Sequence, residues 1–387
     1  MFIDHRRIQG TISQYFTKKG SSTMRSDSLN NKLPDAADGR KSKDPCLDYL
    51  RAAACLLVVV IHTTSRYLVE PGREAYRLLF SGLNTFAGSA VAVFIFISGV
   101  ALTLRYHQQI LEWGPFVKRR LRRILWPFIF WSLFYLVVIN RGLWITYGPL
   151  SLAGTFLGFS MYHLYYIVII LQLYLIYPLL LRLHQKLPYG WLPVLFFLLG
   201  IWFEKQTVMV GPWRITDRLC LTYGGYFSLG IYAGLVWPRW RQVLGKARSW
   251  LFILWIILGT MATIQVFTQF SPWYADMNLL GGYRYMIFAV ASILWLSTAA
   301  DWLSEKEWPE LGKKLKGISR LSLDIYFVHP LLLGVADRIW AKLPAVDDIL
   351  RFMITFSCVF AGAVVFAAAK EKLANKTRIV KGVHCGI

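Results

Sequence analysis

Three residues in the stretch LDYLRAAACLLVVVIHTTSRYL, Leu47 to Leu68, are able to do chemistry: Asp48, Arg51 and His62. The surrounding run is apolar and long enough to cross a bilayer, where ionisable groups are costly and face a cavity or the bundle interior. His62 stands eleven positions after Arg51. At about 100° per residue they fall roughly 20° beyond three full turns, on one stripe of a helix and about 16 Å apart along it. Asp48, three residues before Arg51, lies near the same stripe. Taken singly, the arginine could snorkel to headgroups with Asp48 as partner and the histidine could cap the far end of the span. Aligned on one face, they suit acid–base chemistry, because histidine is the side chain most readily tuned to move a proton near neutral pH.

The elements that must position these residues are membrane helices. The chain has 387 residues, 56% of them hydrophobic and 16% aromatic, and its mean hydropathy is positive. This exceeds what one soluble core of that length needs. About ten apolar runs recur, over 47–68, 82–104, 124–145, 162–183, 190–204, 220–236, 250–269, 284–302, 323–341 and 349–369, the fifth of them short. An all-α polytopic membrane protein of about ten transmembrane helices is the expected fold.

An even number of spans puts both termini on one side, and Lys and Arg placement says which. The even connections hold Arg105 with Lys118 to Arg123, Arg182 with Lys186, Arg239 to Arg248, and Lys306 to Arg320. The odd ones hold few, such as Arg73, Arg77, Arg141 and Lys342. Both termini are therefore expected to be cytoplasmic. The same distribution accounts for the formal charge of +22: orientation and contact with membrane lipids explain the cations, and no nucleic acid partner is implied. Residues 1–45 read as a disordered basic tail, residues 46–370 as the transmembrane domain and residues 371–387 as a second basic tail. The first apolar run serves as an uncleaved signal anchor in this reading. Cys46, Cys55, Cys220, Cys358 and Cys385 are scattered singly, without metal spacing, so neither a disulfide framework nor a metal is expected. No phosphate-binding glycine loop is present in the sequence.

The pattern Arg-x10-His in the first span, preceded by LDYLR, resembles the signature of the membrane acyltransferase-3 family. Four further stretches resemble the family's elements in the same order. They are AVFIFISGVALTLRY (Ala90 to Tyr106), FVKRRLRRILWPF (Phe116 to Phe128), MYHLYYIVIILQLYLIYPLL (Met161 to Leu180) and ISRLSLDIYFVHPLLL (Ile318 to Leu333). Two departures are a long N-terminal tail and Tyr165 at a position where the family favours Trp or Phe.

The resemblance implies a bacterial plasma-membrane enzyme. Such an enzyme moves an acyl group, usually acetyl, from cytoplasmic acetyl-coenzyme A to a hydroxyl of an envelope, exopolysaccharide or lipid-linked sugar. It implies His62 as general base or acyl carrier, with Arg51 steadying the thioester or the developing oxyanion and Asp48 orienting Arg51. Lys118, Arg119, Arg120, Arg122 and Arg123, five cations within six residues, would bind the phosphates of coenzyme A, since guanidinium forks match phosphate oxygens. Ser98, His163 and His329 would meet the substrate. Each has a plainer alternative, helix packing for Ser98 and interfacial anchoring for the two histidines. Glu204, Asp217, Arg218, Trp213, Trp273 and Tyr274 would lie near the outer face, where a sugar could be bound. The competing reading is a polysaccharide or lipid-linked sugar exporter, which ten spans and a basic cytoplasmic face also suit.

Overall fold

In the computed structural model, the structure describes residues 44–69, 76–108, 111–187, 190–269, 282–306 and 308–383. These are almost wholly helical. The helices are α1 (Pro45–Thr64), α2 (Arg66–Val69), α3 (Arg77–Gly88), α4 (Ala90–Tyr106), α5 (Trp113–Val138), α6 (Arg141–Tyr147), α7 (Leu150–Phe156) and α8 (Tyr165–Lys186). They continue as α9 (Trp191–Glu204), α10 (Cys220–Leu235), α11 (Trp237–Lys246), α12 (Arg248–Gln269), α13 (Gly282–Glu305), α14 (Pro309–Trp340) and α15 (Asp348–Val383). A hairpin of two-residue strands, β1 (Met209–Val210) and β2 (Trp213–Arg214), lies between α9 and α10.

Among the described residues, eight helices are long and apolar enough to span a membrane, or nine if α10 with the bent segment after it counts as one span. The bend there is 101° and separates α10 from α11. Of the ten expected runs, 190–204 falls short: α9 has 14 residues, about 21 Å, against roughly 30 Å of hydrocarbon; 220–236 counts as a span only with its bent continuation. The run expected at 82–104 lies in one span, Arg77–Tyr106, in which a single turn residue, Ser89, separates α3 from α4. The basic segment after residue 371 continues α15 to Val383. The N-terminal tail, Arg73, Trp273, Tyr274 and Cys385 lie outside the described residues.

Helix α1 begins where the sequence supplies a start signal. The Asp44 carboxylate accepts from the Cys46 N–H at 2.9 Å, and Pro45 occupies a first-turn position where no N–H is missed. At the other end Thr63 and Thr64 return their hydroxyls to the Val59 and Val60 carbonyls, each at 2.8 Å. The Asn84 amide of α3 donates to the Ile61 carbonyl at 3.0 Å, so the end of α1 that carries His62 is tied down without water.

Around α1 pack α3, α4, α13, α14 and α15, which makes the first span the centre of the bundle. Lipid-facing apolar surface gains little from burial in a membrane, so close packing of small residues matters instead. The clearest case joins α4 to α10. A Cβ on Gly99 would sit 2.6 Å from the Phe227 carbonyl oxygen, and one on Gly230 would sit 2.3 Å from the Phe96 carbonyl oxygen. The packing role open to the Ser98–Gly99 pair therefore falls to the glycine.

Candidate active site

His62 stands in the last turn of α1. Its ring stacks on that of His329 from α14, with centroids 5.2 Å apart and planes 23° from parallel. His163, on the segment leading into α8, meets His329 edge-on at 5.4 Å. Three histidines from three distant parts of the chain thus converge. Tyr162 touches His62 at 4.6 Å and Tyr326 touches His163 at 4.9 Å. The Tyr326 hydroxyl donates to the His163 carbonyl, and the Tyr135 hydroxyl donates to the Phe327 carbonyl at 2.6 Å. Helix α14 is thereby clamped both to the His163 segment and to α5.

The protonation pattern follows from the partners. His329 Nδ1 lies 3.2 Å from the Ile325 carbonyl oxygen; a carbonyl only accepts, so Nδ1 carries the hydrogen and Nε2 presents a lone pair. That Nε2, and both ring nitrogens of His163, are buried without a hydrogen-bond partner among the described residues. Unpaired polar atoms in the interior cost free energy, about 1–3 kcal/mol each, and three of them cluster beside His62. Proline follows His329 and carries no N–H, which frees a carbonyl in the preceding turn. Interfacial anchoring does not describe His163 or His329, since they are 2% and 0% exposed.

His62 remains half-buried and opens on a cavity of about 390 Å³ in the interior of the bundle. His163, Tyr166, Tyr223, Tyr326 and Glu204 contribute to its wall. The lining is mostly aromatic and apolar with a few polar groups, the character of a small-molecule site.

Toward the start of α1, Arg51 Nη1 donates to Ser319 Oγ at 3.2 Å and to Asp48 Oδ1 at 3.4 Å. Ser319 Oγ donates to Asp48 Oδ1 at 2.7 Å. The three close a ring between α1 and α14 through Arg51 Nη1, Ser319 Oγ and Asp48 Oδ1. The hydroxyls of Tyr166 and Tyr174 and the guanidinium of Arg123 lie within electrostatic reach of Arg51. Ser98 donates to the Phe94 carbonyl at 2.9 Å and also meets the Tyr166 hydroxyl. Tyr166 therefore connects the arginine end with the histidine cavity, and Ser98 belongs to that connection.

The five cations of α5 do not form one patch. At 100° per residue, Arg120 and Arg123 fall within about 60° of each other, whereas Lys118 and Arg122 are turned about 100° or more from both. Arg120 is half-buried, 5.8 Å from the Tyr174 ring and 6.0 Å from the Tyr106 ring, and its Nε is buried. Lys118, Arg119, Arg122 and Arg123 are exposed.

Trp213 is 6% exposed and packs against Phe159 at 5.5 Å, so it holds the β1–β2 hairpin to the bundle and offers no face to a sugar. Arg218 pairs with Asp217 at 2.5 Å and covers the Phe159 ring. Among the described residues no group of three His, Cys, Asp or Glu side chains is arranged to hold a metal.

Tyr162, Tyr166, Ser319 and Tyr326 were not among the expected site residues. A signal existed for Tyr326 and Ser319, which stand three and ten residues before His329 and so share its side of a helix. Tyr162 and Tyr166 carry no distinguishing spacing in a sequence so rich in tyrosine.

A multi-pass helical membrane protein with a histidine-lined interior cavity and a separate arginine–carboxylate ring at one end of the same helix is the class that fold and site define. Over residues 44–368 the sequence matches the family description "Acyltransferase domain" of acyltransferase-3, and the chain belongs to that family; it is a membrane acyltransferase. It is 28% identical to "Nodulation protein 10" of Rhizobium leguminosarum bv. viciae, in a match covering 58% of this chain and 70% of that protein. No solved structure gives a significant match.

Proposed function

We propose that the protein transfers an acetyl group from acetyl-coenzyme A, bound at the basic end of the bundle, to a hydroxyl of an envelope or exopolysaccharide sugar, free or lipid-linked, that reaches the histidine cavity. The observation that carries the reading is the position of His62: half-buried, open to a cavity of about 390 Å³ and backed by His329. An imidazole so placed takes the proton of the acceptor hydroxyl as its oxygen attacks the acyl carbonyl carbon. The carbon–sulfur bond then breaks, and the departing thiolate takes up the proton from the imidazolium.

Arg51, fixed by Asp48 and Ser319, the half-buried Arg120 and the exposed Arg123 within electrostatic reach of Arg51 are suited to the donor's negative charges. Tyrosine hydroxyls between the two ends supply donors toward a developing oxyanion.

The test is radiolabelled acetyl-coenzyme A supplied to membranes, followed by analysis of which glycan gains base-labile label. His62→Ala should lower transfer by about 10² to 10⁴ with protein level and donor binding retained. Unaltered labelling in that variant would remove His62 from the chemistry and leave sugar export as the better reading.

A further inference from the structure

A second cavity, of about 590 Å³, lies apart from the histidine site, in a cleft between α11, the start of α12, and the end of α13. Arg241, Lys246, Arg248, Asp301, Trp302 and Glu305 are in its wall. The position of α11 explains why the cleft exists: the 101° bend after α10 turns this short amphipathic helix across the end of the bundle. It is held there by the Trp237 indole, which donates to the Asp44 carboxylate at 2.6 Å, and by Arg241, which is paired with Asp301.

Arg241 and Asp301 neutralise one another, and the remaining charges decide what the cleft attracts. Lys246 and Arg248 have no anionic partner among the described residues, and only Glu305 opposes them. Arg248 lies over the Trp302 ring at 5.5 Å, and Lys306 approaches the same ring at 5.4 Å. A guanidinium fork matches phosphate oxygens, and two cations beside one ring make the cleft's mouth attractive to an anion.

What lies next to the cleft identifies the source of that anion. Arg248 is the first residue of α12, the least buried of the spanning helices among the described residues at 17%. Phe252, Ile253, Ile256 and Ile257 are exposed along it. A charged cleft that opens onto a bare apolar helix matches a molecule with a phosphate at one end and acyl chains at the other. We propose that this cleft holds the headgroup phosphate of an anionic phospholipid, with its chains laid along α12. The site is independent of the acyl-transfer reading, and occupancy would steady α11 across the bundle end.

The test is native mass spectrometry of the full-length chain in detergent, titrated with phosphatidylglycerol or with phosphatidylcholine of the same chain length. Wild type should retain phosphatidylglycerol in preference. Replacing Lys246 and Arg248 together by Gln should weaken that retention about tenfold, since each cation near the headgroups adds to anionic lipid binding. Arg248→Lys, which keeps the charge, should restore most of it in the single-site comparison with Arg248→Gln, and thus separates lost charge from lost folding. Lys313→Gln, an exposed cation outside the cleft, should leave retention unchanged. Equal retention by wild type and the double variant would overturn the proposal. So would displacement of the lipid by inorganic phosphate alone with no preference between the two lipids, which would assign the cleft to a soluble anion.

Discussion

At the scale of single residues, Arg51 and His62 do different work from opposite ends of one helix. Arg51 is held by two oxygens, Asp48 Oδ1 and Ser319 Oγ, and is not left to snorkel. Both bonds come from one nitrogen, Nη1; a lysine in its place would keep the charge but lose the other N–H donors of the planar guanidinium, which an acyl donor or oxyanion would meet. Arg51→Lys is therefore expected to insert normally and to lose most acetyl transfer, measured as label incorporated into glycan; near-normal transfer would reduce Arg51 to an anchor.

The α5 cations invite a companion comparison. Because Arg120 is half-buried beside Tyr174 and the exposed Arg123 lies within electrostatic reach of Arg51, while Lys118 and Arg122 are turned about 100° or more from both, replacing Arg120 and Arg123 by Gln should weaken acetyl-coenzyme A binding about tenfold or more, and replacing Lys118 and Arg122 by Gln should change it little. Equilibrium binding to purified protein reads this directly, and equal effects from the two pairs would mean that the cluster acts as a diffuse field.

At the scale of helices, backbone contact between α4 and α10 sets how closely the walls of the cavity approach. Ala at Gly99 or Gly230 would push a methyl group into a carbonyl oxygen of the facing helix. Each substitution should cost about 1–3 kcal/mol, seen as a lower unfolding temperature in detergent. Gly317→Ala is the internal comparison. Nothing lies within 4 Å of its added methyl, and alanine is the better helix former by about 1 kcal/mol, so stability should hold or rise. A tolerant Gly99→Ala would show that the helices can separate without loss.

For the whole molecule, the distribution of basic residues predicts that reporters fused after Arg248 and at the C-terminus read cytoplasmic, while one near Trp273 reads external. The Asp48–Arg51 ring, Arg120 and Arg123 of α5 and the α11 cleft all lie toward the basic end in this arrangement, which is where a soluble acyl-coenzyme A and anionic headgroups would meet the protein. A cytoplasmic signal from the reporter near Trp273 would reverse the orientation and place Arg51 away from the donor.

What the sequence determined by itself was whatever depends on local periodicity and composition. Apolar runs of spanning length must become helices, because the bilayer leaves backbone groups no other partner, and Arg51 and His62 must share a face because eleven residues nearly complete three turns. The ordered motifs were enough to place the chain in its family. Tertiary structure decided everything that needs two distant segments to meet. His62, His163 and His329 are spread over 267 residues, and nothing in their separate neighbourhoods distinguishes a buried cluster from anchors at three span ends. The ring stacking, the Tyr326 clamp on the His163 segment and the Ser319 hydroxyl between Asp48 and Arg51 exist only because α14 packs on α1. Likewise, of five cations within six residues, Arg120 becomes the half-buried one only because Tyr106, Phe116 and Tyr174 pack beside it.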